Sequence, residues 1–165
     1  MQLIIQDLKP DIIMFTETKS TSTWVSSVIK QWGYMPVVKS GPTVNSGGMV
    51  IGTKTHLGST TNTTTSSHQN ILSVQMEMNS SPVRLIGAYG LQETDNAELR
   101  KDFFTELEIE IESAIGAGCL PLVMGDLNAK YLVEKGKRTP TTPNGIMLCE
   151  ILETFSFHVA NEQIM

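Results

Sequence analysis

The chain has 165 residues, of which 40% are hydrophobic, and a formal net charge of −5. This length supports one sizeable core, so we expect a single domain over 1–165, while the apolar runs are too short to cross a bilayer and no basic flank precedes them as in a signal peptide. The isolated Cys119 and Cys149 predict reduced, structural thiols rather than a zinc site, and the acidic balance argues against a strongly basic DNA-binding surface.

The first predicted strand ends in a carboxylate. Residues 11–16 are apolar, follow the helix-like stretch 2–8 and precede Glu17 and a polar run of Thr and Ser. A short, continuous apolar run of this kind is typical of a strand that is covered on both faces. Glu17 is therefore expected at the end of a buried strand.

A helix with two tryptophans is predicted next. Trp24, Val28 and Trp32 recur at helical spacing, with a Ser or Thr before them as the N-cap and Gly33 after them as the stop. Because this spacing puts both indole rings on one face, we expect them in the core rather than as base-stacking platforms.

Four short, β-prone segments in the middle of the chain predict antiparallel strands, because turn residues separate them. They are residues 34–39, 48–53, 71–78 and 83–89, and the turn at 79–82 joins the last two as a hairpin. The low-complexity run 58–67 is rich in Ser and Thr, and we expect it to be a mobile loop.

The second half begins with a predicted amphipathic helix. Asp95 with Glu98 resembles a cap at its start, Gly116 or Gly118 marks its end, and its glutamates are expected on the outer face. The predicted apolar stripe consists of Leu99, Phe103, Leu107, Ile111, Ala114 and Ile115.

The rest of the chain alternates again. We expect a buried strand over 120–124, a loop rich in Pro, Gly and Thr, a helix over 144–155 and an apolar strand over 157–161. His158 lies within that last segment, and we interpret it as a core residue rather than a catalyst.

Two of these apolar runs end in side chains that suit metal chemistry. The run Leu122-Val-Met-Gly-Asp126-Leu-Asn128-Ala ends in a glycine, a carboxylate and a carboxamide, and residues 11–16 end at Glu17. In open α/β sheets ligands bind at strand ends, so the sequence predicts one acidic, metal-dependent site for a phosphate if these ends converge.

Four motifs, in order along the chain, resemble those of the endonuclease/exonuclease/phosphatase superfamily. The superfamily patterns are "PDI-apolar-ET", "GG-apolar", "apolar-Y" and "GDFNA". The matching segments are Lys9–Thr18, Ser46–Ile51, Ile86–Tyr89 and Met124–Ala129. The segments 144–148 and 157–161 are similar to those of non-LTR retrotransposon endonuclease domains, which resemble apurinic endonucleases and are usually fused to a reverse transcriptase.

This resemblance implies an α/β (α+β) fold of DNase I-like type. Two mixed β-sheets would pack face to face with helices outside, as a four-layer sandwich that is incomplete in this chain. The middle antiparallel strands agree with this fold rather than with a purely parallel nucleotide-binding sheet.

The resemblance also implies roles for single residues. Glu17 would bind Mg²⁺ (or Mn²⁺), Asp126 would orient or deprotonate the attacking water, Asn128 would donate its amide to the phosphate and Tyr89 would hydrogen-bond that phosphate. Structural alternatives remain open. Glu17 suits an N-cap, Gly-Asp-x-Asn is also a common turn composition, and Tyr89 suits a buried sheet edge.

Some superfamily positions have no counterpart in this sequence. Members open with a strand that ends in a metal-holding asparagine and close with strands that carry a catalytic histidine, and none of His56, His68 and His158 matches that position. Leu91 also replaces an expected proline. We expect either a fragment or a shortened product that has lost catalysis and its metal.

Two functions follow from these observations. One is a Mg²⁺-dependent DNA endonuclease derived from a retroelement, or its catalytically impaired remnant, with DNA gripped by Lys130, Lys135, Lys137 and Arg138 and the product in the nucleus. The other is a non-catalytic structural subunit, a pseudoenzyme whose open sheet edges are covered by partner proteins. An intracellular location without membrane insertion is expected for both.

Overall fold

A computed structural model describes residues 5, 7–57, 60–62, 66, 68–134 and 136–161. The α-helices bounded within these residues are α1 Ser22–Gln31, α2 Ala97–Gly116 and α3 Pro143–Thr154. None of the helices in these residues is long and apolar enough to span a membrane. Most of the predicted helix 2–8 and of the predicted loop 58–67 lies outside the described residues.

The described residues also contain nine strands and a short 3-10 helix, Thr55–Leu57. The strands are β1 Ile12–Thr16, β2 Tyr34–Lys39, β3 Met49–Lys54, β4 Thr60–Asn62, β5 Ile71–Met78, β6 Ser81–Tyr89, β7 Leu120–Asp126, β8 Tyr131–Glu134 and β9 Lys137–Pro140. The first three form an antiparallel sheet in the order β1-β3-β2, and the next four form a sheet in the order β4-β5-β6-β7. A separate hairpin consists of β8 and β9.

The four-stranded sheet combines two pairing modes. Strands β5 and β6 are antiparallel and are joined at Asn79 and Ser80, which both have positive φ, as the predicted hairpin requires. Strands β6 and β7 are parallel, and α2 lies between them in the sequence. Parallel pairing needs such a crossover, so α2 packs on this sheet.

Three apolar clusters give the molecule its layers. The first, with Ile13, Val25 and Ile29, lies between α1 and the three-stranded sheet. A second joins the two sheets, and the third covers the outer face of the four-stranded sheet with α2 and α3. The result is a mixed α/β sandwich with helices outside, which confirms the predicted fold class.

The tryptophan prediction is wrong for Trp24, whose residue surface is 59% exposed. The buried face of α1 consists of Val25 and Ile29, one position further along the helix. Trp32 is half-buried and packs edge-on against Phe15. Apolar residues four positions apart can lie on more than one face of a helix. Here the smaller side chains of Val25 and Ile29 form the face that packs on the sheet, because they fit against β-strands.

The cap and the stripe of α2 also differ from the prediction. Asn96 is the N-cap, because its Oδ1 accepts from the backbone N–H groups of Glu98 and Leu99, whereas Asp95 accepts from Gln92. Leu99 is 55% exposed and Ile115 is exposed, while Phe104 is buried. The helix is long enough that its buried face drifts away from a strict spacing of four.

Three predictions for the second half are corrected. The predicted buried strand is β7, which has no neighbour on one side among the described residues, so that Leu120 is 65% and Leu122 is 43% exposed. The predicted loop after it contains the hairpin β8–β9. Residues 157–161 form no strand, and His158 is exposed rather than in the core.

Candidate active site

The parallel pairing of β6 and β7 brings two predicted site residues side by side. Tyr89 is in register with Asp126, the last residue of β7. The preceding Gly125 has a φ of +130°, and a Cβ atom there would overlap the carbonyl oxygen of Ala88. Glycine at this position therefore allows the two strands to approach closely where they end.

Asn128 follows in a tight turn. Its φ is +47°, its backbone N–H donates to Asp126 Oδ1 at 3.0 Å, and its side-chain Nδ2 donates to the carbonyl oxygen of Gly90 at 2.7 Å. The first bond is the ordinary turn that the composition suggests. The second bond crosses from the loop after β7 to the loop after β6, so that the carboxamide lies between both strand ends.

Glu17 reaches the same region from the other sheet. It follows β1 with a φ of +52°, and the next two residues pair with the glycines of the Ser46–Ile51 motif, Thr18 N–H to Gly48 O at 3.2 Å and Lys19 N–H to Gly47 O at 3.1 Å. A Cβ atom at Gly48 would overlap Thr18 Oγ1. The N-cap of α1 is Thr21, so Glu17 does not cap that helix.

The phenol of Tyr89 is the point where these residues meet. Its pKa is raised by partial burial, by the charge of Glu17, by its hydrogen bond to Glu17 and by the charge of Asp126, while a hydrogen bond to Asn128 lowers it. The structure therefore brings together all four predicted site residues, Glu17, Tyr89, Asp126 and Asn128.

Two carboxylates acting on one phenol form a donor set that fits a hard divalent ion. Mg²⁺ in proteins is often held by one or two carboxylates, with water and substrate phosphates as its other ligands. Among the described residues no three His, Cys, Asp or Glu side chains are grouped so that they could hold an ion alone. The set suits an ion shared with a phosphate rather than one enclosed by protein.

Lys19 is a neighbour of this site that sequence reasoning missed. Its Nζ lies 3.1 Å from Glu17 Oε2, and both side chains are about half exposed. An ion pair this exposed is weak, and its ammonium group occupies a position from which it would compete with a bound cation. Lys19 follows Glu17 by only two residues, but the sequence does not show in which direction the side chain of Lys19 points.

His56 and His68 contact residues other than those of this site. His56 Nε2 lies 3.1 Å from Asp11 Oδ1 on an exposed surface. The ring of His68 packs edge-on against Phe103 of α2, and burial lowers its pKa, although Glu106 opposes this. Their contacts thus lie away from Glu17 and Asp126, in agreement with the absence of a sequence match to the catalytic position.

A basic hairpin rises directly after Asn128. Strands β8 and β9 are fixed at their base, where Thr141 donates its N–H to Lys130 O at 3.0 Å and Lys130 donates its N–H to Thr142 Oγ1 at 3.3 Å. Lys130 and Lys137 are exposed, whereas Lys135 lies outside the described residues. The hairpin therefore carries part of the predicted basic cluster at the margin of the site.

No protein family's sequence profile matches this chain, and no curated protein matches it by sequence. Solved structures do match. The 3′-5′ exonuclease NExo from Neisseria meningitidis superposes with a TM-score of 0.70 at 16% identity, over 92% of this chain and 64% of that chain. An AP endonuclease from Archaeoglobus fulgidus gives a TM-score of 0.68 at 15% identity, over 93% and 63%.

A further similar structure contains nucleic acid. Neisseria NExo, described as a 3′ phosphatase bound to a product DNA hairpin, gives a TM-score of 0.62 at 16% identity, over 78% of this chain and 51% of that chain. These proteins are members of the endonuclease/exonuclease/phosphatase (DNase I-like) superfamily, and their likeness shows that this chain has the DNase I-like fold. The chain spans less than two thirds of the length of each.

Proposed function

We propose that this chain, which has the DNase I-like fold, is a Mg²⁺-dependent phosphodiester hydrolase that acts on DNA and derives from a retroelement endonuclease. The observation that carries the proposal is the meeting of Glu17 and Asn128 at the Tyr89 hydroxyl, with Asp126 beside it. A carboxylate can hold a metal ion, and an amide and a phenol can donate hydrogen bonds to the charge that develops on a phosphate.

The metal would be bound by Glu17. A Mg²⁺ or Mn²⁺ ion there would supply positive charge to the phosphate and to the leaving oxygen. Tyr89 donates its hydroxyl to Glu17 and thereby fixes the direction of that carboxylate. Lys19 would have to swing away from Glu17, which an exposed, flexible lysine does at little cost.

The remaining residues would act on the water and the phosphate. Asp126 is exposed at the end of β7, and its Oδ1 accepts the backbone N–H of Asn128; its exposed carboxylate would orient or deprotonate water. Asn128 Nδ2 donates to Gly90 O and to the Tyr89 hydroxyl, and a bound phosphate oxygen would take the second of these hydrogens in place of the phenol. The raised pKa of Tyr89 keeps the phenol protonated and able to donate.

DNA is the substrate class that the surroundings favour. The cations of the β8–β9 hairpin, beside the acidic site, would neutralise backbone phosphates although the whole chain is acidic. The Neisseria relative was solved with a product DNA hairpin, which agrees with this class. A retroelement origin would place the protein in the nucleus.

A second candidate is a non-catalytic subunit that reuses the fold. The edge of β7, which has no neighbouring strand in the described part of the chain, and its exposed leucines favour it, because such an edge accepts a strand from a partner protein. The ion pair between Lys19 and Glu17 agrees with it as well, since it balances the carboxylate without a metal.

Nicking of supercoiled plasmid by the purified chain with Mg²⁺ or Mn²⁺ separates the two candidates. We expect nicking that EDTA abolishes and that Asp126→Asn lowers by about 100-fold or more, the usual contribution of a general base. Asp102→Asn is the matched control, because Asp102 is exposed on α2. A well-folded chain that does not nick, or an Asp126→Asn variant that nicks normally, would contradict the proposal.

A further inference from the structure

Asn144 is a polar side chain that is completely buried, at 0% exposure, although it stands at the start of α3. A buried carboxamide is costly unless its donors and acceptor are all bonded. Its Nδ2 donates to Leu91 O at 2.8 Å and to Asn128 O at 3.0 Å, and its Oδ1 accepts from Arg100 Nη1 at 3.2 Å. The carboxamide therefore has no free hydrogen.

The two carbonyl groups that Asn144 binds belong to the two loops of the site. Leu91 follows Tyr89 by two residues at the end of β6, and Asn128 follows Asp126 at the end of β7. A second bridge runs between the same loops, from Asn128 Nδ2 to Gly90 O. One side chain of α3 thus holds together the backbones that carry the proposed catalytic groups.

The orientation of this carboxamide is itself fixed by an ion pair. Arg100 Nη1 donates to Glu93 Oε2 at 2.8 Å, and Glu93 Oε1 accepts the backbone N–H of Asn144 at 3.1 Å. Because the guanidinium donates to Oδ1, a flipped amide would bring two donors face to face. Arg100 and Glu93 therefore select the one orientation in which Nδ2 faces Leu91 and Asn128.

We propose that Asn144, oriented by Arg100 and Glu93, is a positioning residue that fixes the distance between the Tyr89 loop and the Asp126–Asn128 loop. Since these loops carry the proposed catalytic residues, this role rests on the proposed function. Its carboxamide bonds the backbone carbonyl groups of Leu91 and Asn128, so its effect on chemistry passes through the backbones of the two loops.

Asn144→Asp is the sharpest test because it keeps the shape and removes both donors, leaving an acceptor opposite two carbonyl oxygens. Asn96→Asp is the matched control, since the capping Oδ1 of Asn96 accepts hydrogen bonds and Asp caps equally well.

The expected result is faster amide exchange, measured by NMR. The exchange rate should rise at least ~10-fold for the N–H groups of Gly90 and Asn128, which both donate to Asp126, while the exchange rates of the β5 amides stay unchanged.

A spectroscopic signature separates positioning from mere stability. The side-chain amide signals of Asn128, whose Nδ2 donates to Gly90 O across the same two loops, should shift in Asn144→Asp, while the backbone amide signals of β5 stay. Glu93→Gln leaves Asn144 in place and should give a smaller shift of the same kind, so it carries the test if Asn144→Asp does not fold.

Unchanged amide exchange and unchanged Asn128 side-chain amide signals in a folded Asn144→Asp protein would overturn the inference, as would an increase in exchange spread evenly over all elements. In the plasmid assay the variant should lower kcat with KM unchanged. Absence of nicking by the unmodified chain would contradict the proposed function alone, since the NMR results test the role of Asn144 without any activity.

Discussion

At the scale of single residues, Tyr89 reports on the charge of the site. Partial burial raises the pKa of its phenol above the ordinary value, the charges of Glu17 and Asp126 and the hydrogen bond to Glu17 raise it further, and the hydrogen bond to Asn128 opposes them. A raised pKa means that the folded state prefers the protonated phenol. The stability that this provides is complete below the unfolded-state pKa of about 10 and is lost as pH rises through the folded-state value.

Glu17→Gln should lower the pKa of Tyr89, because it removes a negative charge that disfavours the phenolate. The measurement is an NMR titration of ¹³Cζ-tyrosine, with Tyr34 as the internal reference, since burial and then Asp11 raise its pKa without Glu17. A Tyr89 midpoint that does not move would mean that Glu17 and the phenol are not in contact.

Some residues of the site could be predicted from the sequence, and others could not. Glu17, Asp126 and Asn128 stand where apolar runs end, and strand ends of one sandwich meet, so their convergence could be predicted. Lys19 and Asn144 could not, because a turn decides where an ammonium group points and because α3 buries a residue that looks like an ordinary helix start. The catalytic roles stay predictions.

At the scale of elements, Lys39 connects the two sheets. It belongs to β2, yet its Nζ donates to the carbonyl oxygens of Ser66, His68 and Ile71 at 2.6 to 2.8 Å, at the start of β5. Burial lowers its pKa, which the charge of Glu110 partly opposes. Three carbonyl acceptors use all the protons of one ammonium group, so the charged form is the one that fits.

Lys39→Met should lower the free energy of unfolding by about 2 kcal/mol or more, because three carbonyl groups lose a charged donor. Urea denaturation measures the change. Lys101→Met is the control, since Lys101 is exposed on α2 and methionine has a similar helix propensity. Equal stabilities for both variants would show that the Lys39 bonds contribute nothing net.

The elements themselves were predictable where period and turn residues agreed. The hairpin of β5 and β6 and the long helix α2 follow from alternation and from a helical stripe. The sequence did not show which face of α1 is buried, because Trp24 and Val25 both suit a helix face and only packing against Ile13 and Val50 of the three-stranded sheet decides between them. The hairpin β8–β9 was hidden by its Pro, Gly and Thr residues.

At the scale of the whole molecule, the four-stranded sheet is unfinished at β7 within the described residues. Leu120 and Leu122 are exposed along this edge, where the sequence predicted a buried strand, since an apolar run does not say whether a neighbour covers it. Exposed apolar strands at a sheet edge promote association between chains.

Leu120→Lys should therefore reduce self-association of the purified chain at high concentration, because a lysine on an edge strand opposes pairing. Sedimentation velocity measures it, and the stability should change by less than about 0.5 kcal/mol. Leu99→Lys serves as the control, since Leu99 is similarly exposed but lies on a helix. If both variants associate like the unmodified chain, the β7 edge is not the contact.

Because the ends of β1, β6 and β7 meet at the phenol of Tyr89, the site depends on the order in which parts of the chain fold. The three strands are distant in the sequence, and contacts of that kind form late in folding because long loops must close first. The hairpin of β5 and β6 and helix α2 depend on local contacts, and we expect them to form early. The acidic site therefore comes into existence only when the two sheets dock, and a partly folded or nascent chain carries its carboxylates apart.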